Sequence, residues 1–172
     1  KMTLPSEKQK KDIHIVSFLV ANKPGVLVRI AQVFARRGYN IDSLVVSPSF
    51  NPQYSRMTIT AIGDPVTLEQ IIKQSAKLID VLHVGEHTGI DAVGREYALL
   101  KIKTTPSTNA TILRLCKKFH THLVDHTDHV LIISQGGTTE ELDQFENLVR
   151  KYDILEMVRS GKLIMARGKK IT

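Results

Sequence analysis

The order in which hydrophobic periodicity changes along residues 13–86 leaves few folds open. Ile13–Val20 is an apolar run with too little alternation for a surface strand, and it reads as a buried one. Leu27, Ile30, Ala31 and Phe34 follow at the i, i+3, i+4, i+7 spacing of a helix with one apolar face. That helix stops at Arg36-Arg37-Gly38, where cations in the last turn precede a glycine. Tyr39–Ser47 and Ser55–Ile62 are strands joined by the turn residues Pro48-Ser49-Phe50-Asn51-Pro52. Arg56, Thr58 and Thr60 alternate with Met57, Ile59 and Ala61, which predicts a half-exposed strand. Asp64-Pro65 supplies a cap and a first-turn proline for a second helix with Leu68, Ile71, Ile72, Ser75 and Ile79 inward. Asp80–Glu86 closes the series as a strand. Strand, helix, strand, strand, helix, strand is the split βαβ arrangement, a ferredoxin-like antiparallel sheet with both helices on one face.

The same order then recurs. Tyr97–Ile102 is a strand, and a helix from Pro106 or Ser107 turns Ile112, Leu115, Cys116 and Phe119 inward. Thr121–Asp125 and Val130–Ser134 are strands. Thr138-Thr139-Glu140-Glu141 has capping-box spacing ahead of Leu142, Phe145 and Val149, and short strands at Ile154–Val158 and Leu163–Met165 flank Ser160-Gly161. The expectation is an α+β chain of two ferredoxin-like βαββαβ units. An arm covers 1–11, the first domain 12–87, a linker 88–94, and the second domain 95–172 with a basic tail.

The formal charge of +7 suggests nucleic acid, but its distribution argues against that. Four lysines against Glu7 and Asp12 give +2 in residues 1–12, and Lys162, Arg167, Lys169 and Lys170 give +4 in 162–172, which leaves +1 between. A nucleic-acid reader carries a basic stripe on its folded surface. With no tryptophan and few aromatics, stacking platforms are not evident either. No apolar run reaches the roughly 18 residues of a membrane span, and the lysines at the start lead into a strand rather than a signal-peptide core. The single cysteine, Cys116, fits a core position and a reducing compartment. The expected locations are the cytoplasm for a bacterial chain, and a plastid or the mitochondrial matrix for a eukaryotic one.

No nucleophile elbow, zinc-protease helix, Walker loop or dinucleotide fingerprint occurs. Gly136-Gly137-Thr138-Thr139 reads as a hairpin-to-helix loop. His120, His122, His126 and His129 crowd beside Asp125 and Asp128, and exposed hairpin histidines are a better account of them than a metal site. The turn Asn22-Lys23-Pro24-Gly25-Val26-Leu27 is the remaining candidate. Pro24 suits a first helical position, and Gly25 leaves the backbone bare where helix N–H groups lack partners. Such a corner binds carboxylates. On the turn alone the commoner arrangement is favoured, a helix start capped by Asn22 with Gly25 giving clearance.

These residues resemble the ACT-domain family, and more closely the regulatory (small) subunits of acetohydroxyacid synthase, also called acetolactate synthase. The segments that match are Asn22-Lys23-Pro24-Gly25-Val26-Leu27, Phe34-Ala35-Arg36-Arg37-Gly38-Tyr39-Asn40-Ile41-Asp42-Ser43-Leu44, Ser55–Ile59, Glu69-Gln70-Ile71 with Lys77-Leu78, Arg95–Ile102 and Arg159-Ser160-Gly161. The His120-Thr121 hairpin departs from the usual pattern. The resemblance implies a chain with no catalytic site of its own, binding neither cofactor nor metal. It would pair through its ACT domain and bind a catalytic large subunit that carries thiamine diphosphate, Mg and FAD. There it would raise activity and confer feedback inhibition by valine or another branched-chain amino acid. By the same resemblance the effector lies between Asn22, Gly25, Val26 and Leu27 of one chain and Asn40 and Ile41 of the other. A stand-alone amino-acid-responsive regulator, of transcription for example, is the alternative; the lack of a helix-turn-helix segment counts against it.

Overall fold

A computed structural model describes residues 13–87 and 89–172. The expected arm at 1–11 and Thr88 of the expected linker lie outside the described residues. The chain forms two compact units. One comprises the described residues up to Val93 together with Ile164–Thr172, and the other is Gly94–Leu163.

In the first unit the elements are β1 (Ile13–Ala21), α1 (Val26–Arg36), β2 (Asn40–Pro48), β3 (Tyr54–Ile62), α2 (Pro65–Ser75) and β4 (Val81–His87). The antiparallel sheet has the order β2-β3-β1-β4. Val16, Phe18 and Val20 of β1 and Met57, Ile59 and Ala61 of β3 share one face, on which Val26, Ile30 and Phe34 of α1 and Leu68 and Ile71 of α2 bury. The helix phase differs from expectation by one position: Val26 is 3% exposed, whereas Leu27 is 39% exposed. Ile79, expected on the inner face of α2, lies beyond its end and is fully exposed. Asp64 caps α2, its carboxylate accepting from Thr67 N–H at 2.7 Å, with Pro65 in the first turn. Those hydrogen bonds hold the Asp64 carboxyl below the usual range.

The second unit contains most of β5 (Ala92–Lys103), then α3 (Pro106–Lys118), β6 (His122–His126), β7 (Val130–Gly137), α4 (Thr139–Val149) and β8 (Ile154–Arg159). Its strand order is β6-β7-β5-β8; a last strand, β9, spans Leu163–Ala166, at the end of this unit's segment. Ala98, Leu100, Ile102, Leu131 and Ile133 pack against Ile112, Cys116, Leu142 and Phe145. Thr138 and Glu141 form the expected capping box. Gly136 and Gly137 are not a loop but the end of β7. A Cβ at Gly137 would sit 2.6 Å from Glu141 Oε2, so the glycine admits the capping side chain.

The architecture is α+β with two βαββαβ units. Its boundaries differ in two places from those expected. β5 begins at Ala92, inside the segment read as a linker. Residues 164–172, read as the tail of the second domain, group with the first unit. Arg167 N–H donates to Asp91 C=O at 2.8 Å, Arg56 Nη1 donates to the Thr172 carbonyl oxygen at 2.5 Å, and Ala166 N–H donates to Thr172 Oγ1 at 2.7 Å. Arg56 alternates with the core-facing Met57, so this segment meets the sheet face opposite the helices.

Candidate functional site

The corner between β1 and α1 is built by its glycine. Gly25 has φ 83° and ψ −9°, a left-handed conformation that L side chains rarely adopt, and it precedes the first helical residue, Val26. Pro24 is therefore not the first helical residue but part of the preceding turn. α1 has no side-chain cap. A missing cap costs about 1 kcal/mol, whereas burying Val26, Ile30 and Phe34 contributes roughly 5–9 kcal/mol at the upper bound. Packing thus holds a helix start that capping would not.

The first bond into the helix runs from Arg29 N–H to Gly25 C=O at 3.1 Å. The N–H groups of Val26, Leu27 and Val28 ahead of it lack an acceptor within the helix. The first turn carries no acidic residue, and Arg29 is ion-paired with Asp80. A carboxylate arriving here would meet donors without an intrahelical acceptor and the positive end of the helix dipole, with no acidic side chain in the first turn. Leu27 and Val28, 39% and 58% exposed, give the corner an apolar flank.

Asn22 does not cap the helix. Its Nδ2 donates to the Pro52 carbonyl at 3.0 Å, and its backbone N–H donates to Gln53 C=O at 2.8 Å. The β2–β3 loop therefore orients the side chain, committing the amide nitrogen and leaving Oδ1 as an acceptor suited to an ammonium group. No sequence signal reports a contact thirty residues away, so Pro52 and Gln53 were not foreseen.

Asn40 and Ile41 lie elsewhere in the same unit. They open β2, opposite Ile62 and Ala61, whereas Pro48 ends that strand opposite Ser55, near the β1 exit. The strand's length puts them about 26 Å from the level of the Gly25 corner. Asn40 is exposed and Ile41 half-buried. One chain thus brings Asn22, Gly25, Val26 and Leu27 together and leaves Asn40 and Ile41 at the far end of an edge strand.

Two further polar sites were not foreseen from sequence. Glu96, 7% exposed, receives Arg159 Nη2 at 2.6 Å and the Thr139 hydroxyl, while Arg159 Nη1 reaches Asp143 at 2.6 Å. The segments Arg95–Ile102 and Arg159-Ser160-Gly161 are thereby joined, since Ser160 N–H also donates to Tyr97 C=O at 2.9 Å. His87, buried, shares a hydrogen bond with Ser17 Oγ at 2.5 Å. Among the described residues no group of three or more His, Cys, Asp or Glu is placed to hold a metal ion; His122 and His126 stand exposed on β6. Burial pushes the Cys116 thiol up, away from reactivity.

The first unit is a βαββαβ fold whose α1 starts at a left-handed glycine, and comparison with known proteins gives its family. Residues 16–83 match the family model described as an AHAS small subunit-like ACT domain, so the first unit is an ACT domain. Residues 95–168 match that described as the small subunit of acetolactate synthase. The chain is 41% identical to a probable acetolactate synthase small subunit of Archaeoglobus fulgidus, over 91% of this chain and 98% of that one. It is 40% identical to the acetolactate synthase isozyme 3 small subunit of Escherichia coli, over 91% and 97%. The crystal structure of the acetolactate synthase small subunit from Thermotoga maritima superposes with a TM-score of 0.84 at 36% identity, over 92% of this chain and 99% of that one. The chain belongs to the acetolactate synthase small-subunit family.

Proposed function

We propose that this chain is the regulatory subunit of an acetolactate synthase, binding the catalytic large subunit, raising its activity and conferring feedback inhibition by valine or another branched-chain amino acid. The observation that carries the reading is the Gly25 corner: three helix-start N–H groups free of intrahelical acceptors, no acidic side chain in the first turn, and an apolar flank. The effector's carboxylate meets the N–H groups of Val26–Val28, its ammonium meets Asn22 Oδ1, and its branched side chain lies along Leu27. These are the two ends and the body of an aliphatic amino acid.

A second copy completes the site. Among the described residues β2 is an edge strand paired only with β3, and it exposes Leu44 (36%) and Val46 (43%). Such an edge must be covered or paired. Antiparallel pairing of two β2 edges about a two-fold axis brings each Asn40 and Ile41 to the Pro48 end of the other copy, the end at which the Gly25 corner lies. Effector bound at that seam stabilises the pair by linkage. Catalysis and the catalytic cofactors thiamine diphosphate, Mg and FAD reside in the large subunit.

The test is to mix the full chain with an acetolactate synthase catalytic subunit, with and without valine, leucine or isoleucine. Activation by the chain and its reversal by one of these amino acids is the expected result. Activation with no response to any of them removes the effector site and leaves the subunit assignment. No effect on the catalytic subunit removes both.

A further inference from the structure

We propose that residues 164–172 are a strap held over the helix-free face of the first unit's sheet, and that protonation of His87 beneath it releases the strap. The placement follows from the strand register. Val16 and Phe18 enter the helix-covered core, so Ile15, Ser17 and Leu19 face the other way. His87 and Thr60 stand opposite Ile15, and Arg56 stands opposite Leu19, which puts all three on that same face. The face is polar at its centre, where Ser17, Thr60 and His87 are buried. Hydrogen bonds tie the strap down: Arg56 Nη1 donates to the Thr172 carbonyl oxygen at 2.5 Å, and Arg167 N–H donates to Asp91 C=O at 2.8 Å.

The closed strap and a charged His87 do not fit together. Nε2 of the ring shares a hydrogen bond with Ser17 Oγ at 2.5 Å, and Nδ1 is buried with no hydrogen-bond partner among the described residues. An imidazolium donates from both nitrogens, so its Nδ1–H would carry charge with nothing to accept it. Burial comes first in disfavouring the proton; Lys170 of the strap and His83 of β4 add to it, and Asp91 opposes them. Arg56 of β3 is a further cation on this face. The strap, Ile164-Met165-Ala166-Arg167-Gly168-Lys169-Lys170-Ile171-Thr172, holds three cations and no acid. A proton on His87 therefore places like charge under a cationic segment. Lifting the strap gives water access to Nδ1 and parts the charges.

The strap yields before the sheet does. β1 is flanked by β3 and β4 and carries Val16, Phe18 and Val20 into the core. Residues 167–172 form neither helix nor strand, and within 164–172 only Ala166 and Thr172 are buried. A segment with so few buried contacts opens at low cost, without unfolding the rest. The sign follows from a closed-state pKa held below the ordinary 6.5: closure is fully favoured above pH 6.5 and is lost as pH falls through and below it. With His87 titrating at 6.5 once uncovered and staying neutral while covered, the opening equilibrium rises about tenfold between about pH 7.5 and about pH 5.5.

Amide hydrogen exchange read by mass spectrometry on the full chain, at those two pH values and corrected for the intrinsic exchange rate, tests this. Peptides covering 164–172 should lose protection about tenfold at the lower pH, while peptides covering Met57, Ile59 and Ala61 of β3 keep theirs. His87→Gln leaves a neutral polar side chain that takes up no proton, and it should hold the strap at both pH values. Arg56→Gln cuts a tether and should expose 164–172 at pH 7.5 as well. The proton NMR titration of the His87 ring in the wild-type chain needs no variant and should give a pKa below 6.5. A strap equally protected at both pH values overturns the proposal. So does a His87→Gln strap that loses protection as the wild type does, which would assign the proton to another group. A His87 ring that titrates at 6.5 or above overturns it too. None of these readouts involves the effector corner or the catalytic subunit, so the outcome is independent of the proposed function.

Discussion

Replacing Gly25 by aspartate separates the two things the corner is proposed to do. The first effect is on the backbone. At φ 83° an L residue is strained, at a cost of about 1–2 kcal/mol. Space is not the obstacle, because a Cβ there would lie 3.4 Å from Arg29 Nη1 and meet nothing nearer. The second effect is electrostatic. A new carboxylate about 4 Å from the ligand's own repels it by about 1 kcal/mol in water and about 4 kcal/mol at an effective dielectric of 20. Arg29 only partly offsets this charge, since it already pairs with Asp80. Valine affinity should therefore fall by a factor between about 5 and about 1,000. Gly25→Ala carries the strain without the charge and is the control: both variants should lose similar stability in urea, while the aspartate variant loses far more affinity by calorimetry. In the reconstituted enzyme, Gly25→Asp should abolish valine inhibition and leave activation intact. A folded Gly25→Asp protein that binds valine within twofold of wild type refutes the carboxylate assignment. Equal loss in both variants would mean that backbone strain, not charge, governs the site.

Asn40→Ala should weaken valine binding by about 1–3 kcal/mol, a lost hydrogen bond to a charged group; an unchanged calorimetric affinity removes Asn40 from the site. Arg159→Leu strands the buried Glu96 carboxylate with only the Thr139 hydroxyl, and should cost about 3–5 kcal/mol in urea unfolding; a loss below about 1 kcal/mol would mean water reaches Glu96. His87 is held below its ordinary pKa of 6.5 by burial first, then by the positive charges of Lys170 and His83, with Asp91 opposing. The unfolded chain therefore takes up that proton first. The stabilisation is complete above pH 6.5 and is lost as pH falls toward and through the lower folded value. The melting temperature should drop between about pH 7.5 and about pH 5 in the wild type, and drop less in His87→Phe; parallel curves would show that His87 does not titrate in this range.

Much of the fold was legible because hydrophobic periodicity is a local property. The alternation Met57, Ile59, Ala61 and the spacing Ile30, Phe34 report a buried face without knowledge of what covers it. Capping is local too, so Asp64 and Thr138 were found where they act. The errors fall where a residue's environment comes from a distant segment. Leu27 and Val26 are both apolar, and only the direction in which α1 leaves the turn decides that Val26 enters the core. Thr60 looks like a surface threonine by alternation yet is 2% exposed and bonded to Ser43. The return of residues 164–172 to the first unit depends on Arg56 and Asp91, which no periodicity connects to them.

The sequence by itself determined the element order, the two separate cores, and the chemistry of the corner at residues 22–27: a glycine free to turn left-handed, and an amide beside it. Only the tertiary structure decided how that chemistry is aimed. It starts α1 at Val26 with its first N–H groups lacking intrahelical acceptors, fixes Asn22 through Pro52, and parts Asn40 from the corner by the length of an edge strand. The reason is physical. Backbone preference and periodicity act over a few residues, whereas the direction of a polar side chain is set by partners that only folding brings into reach.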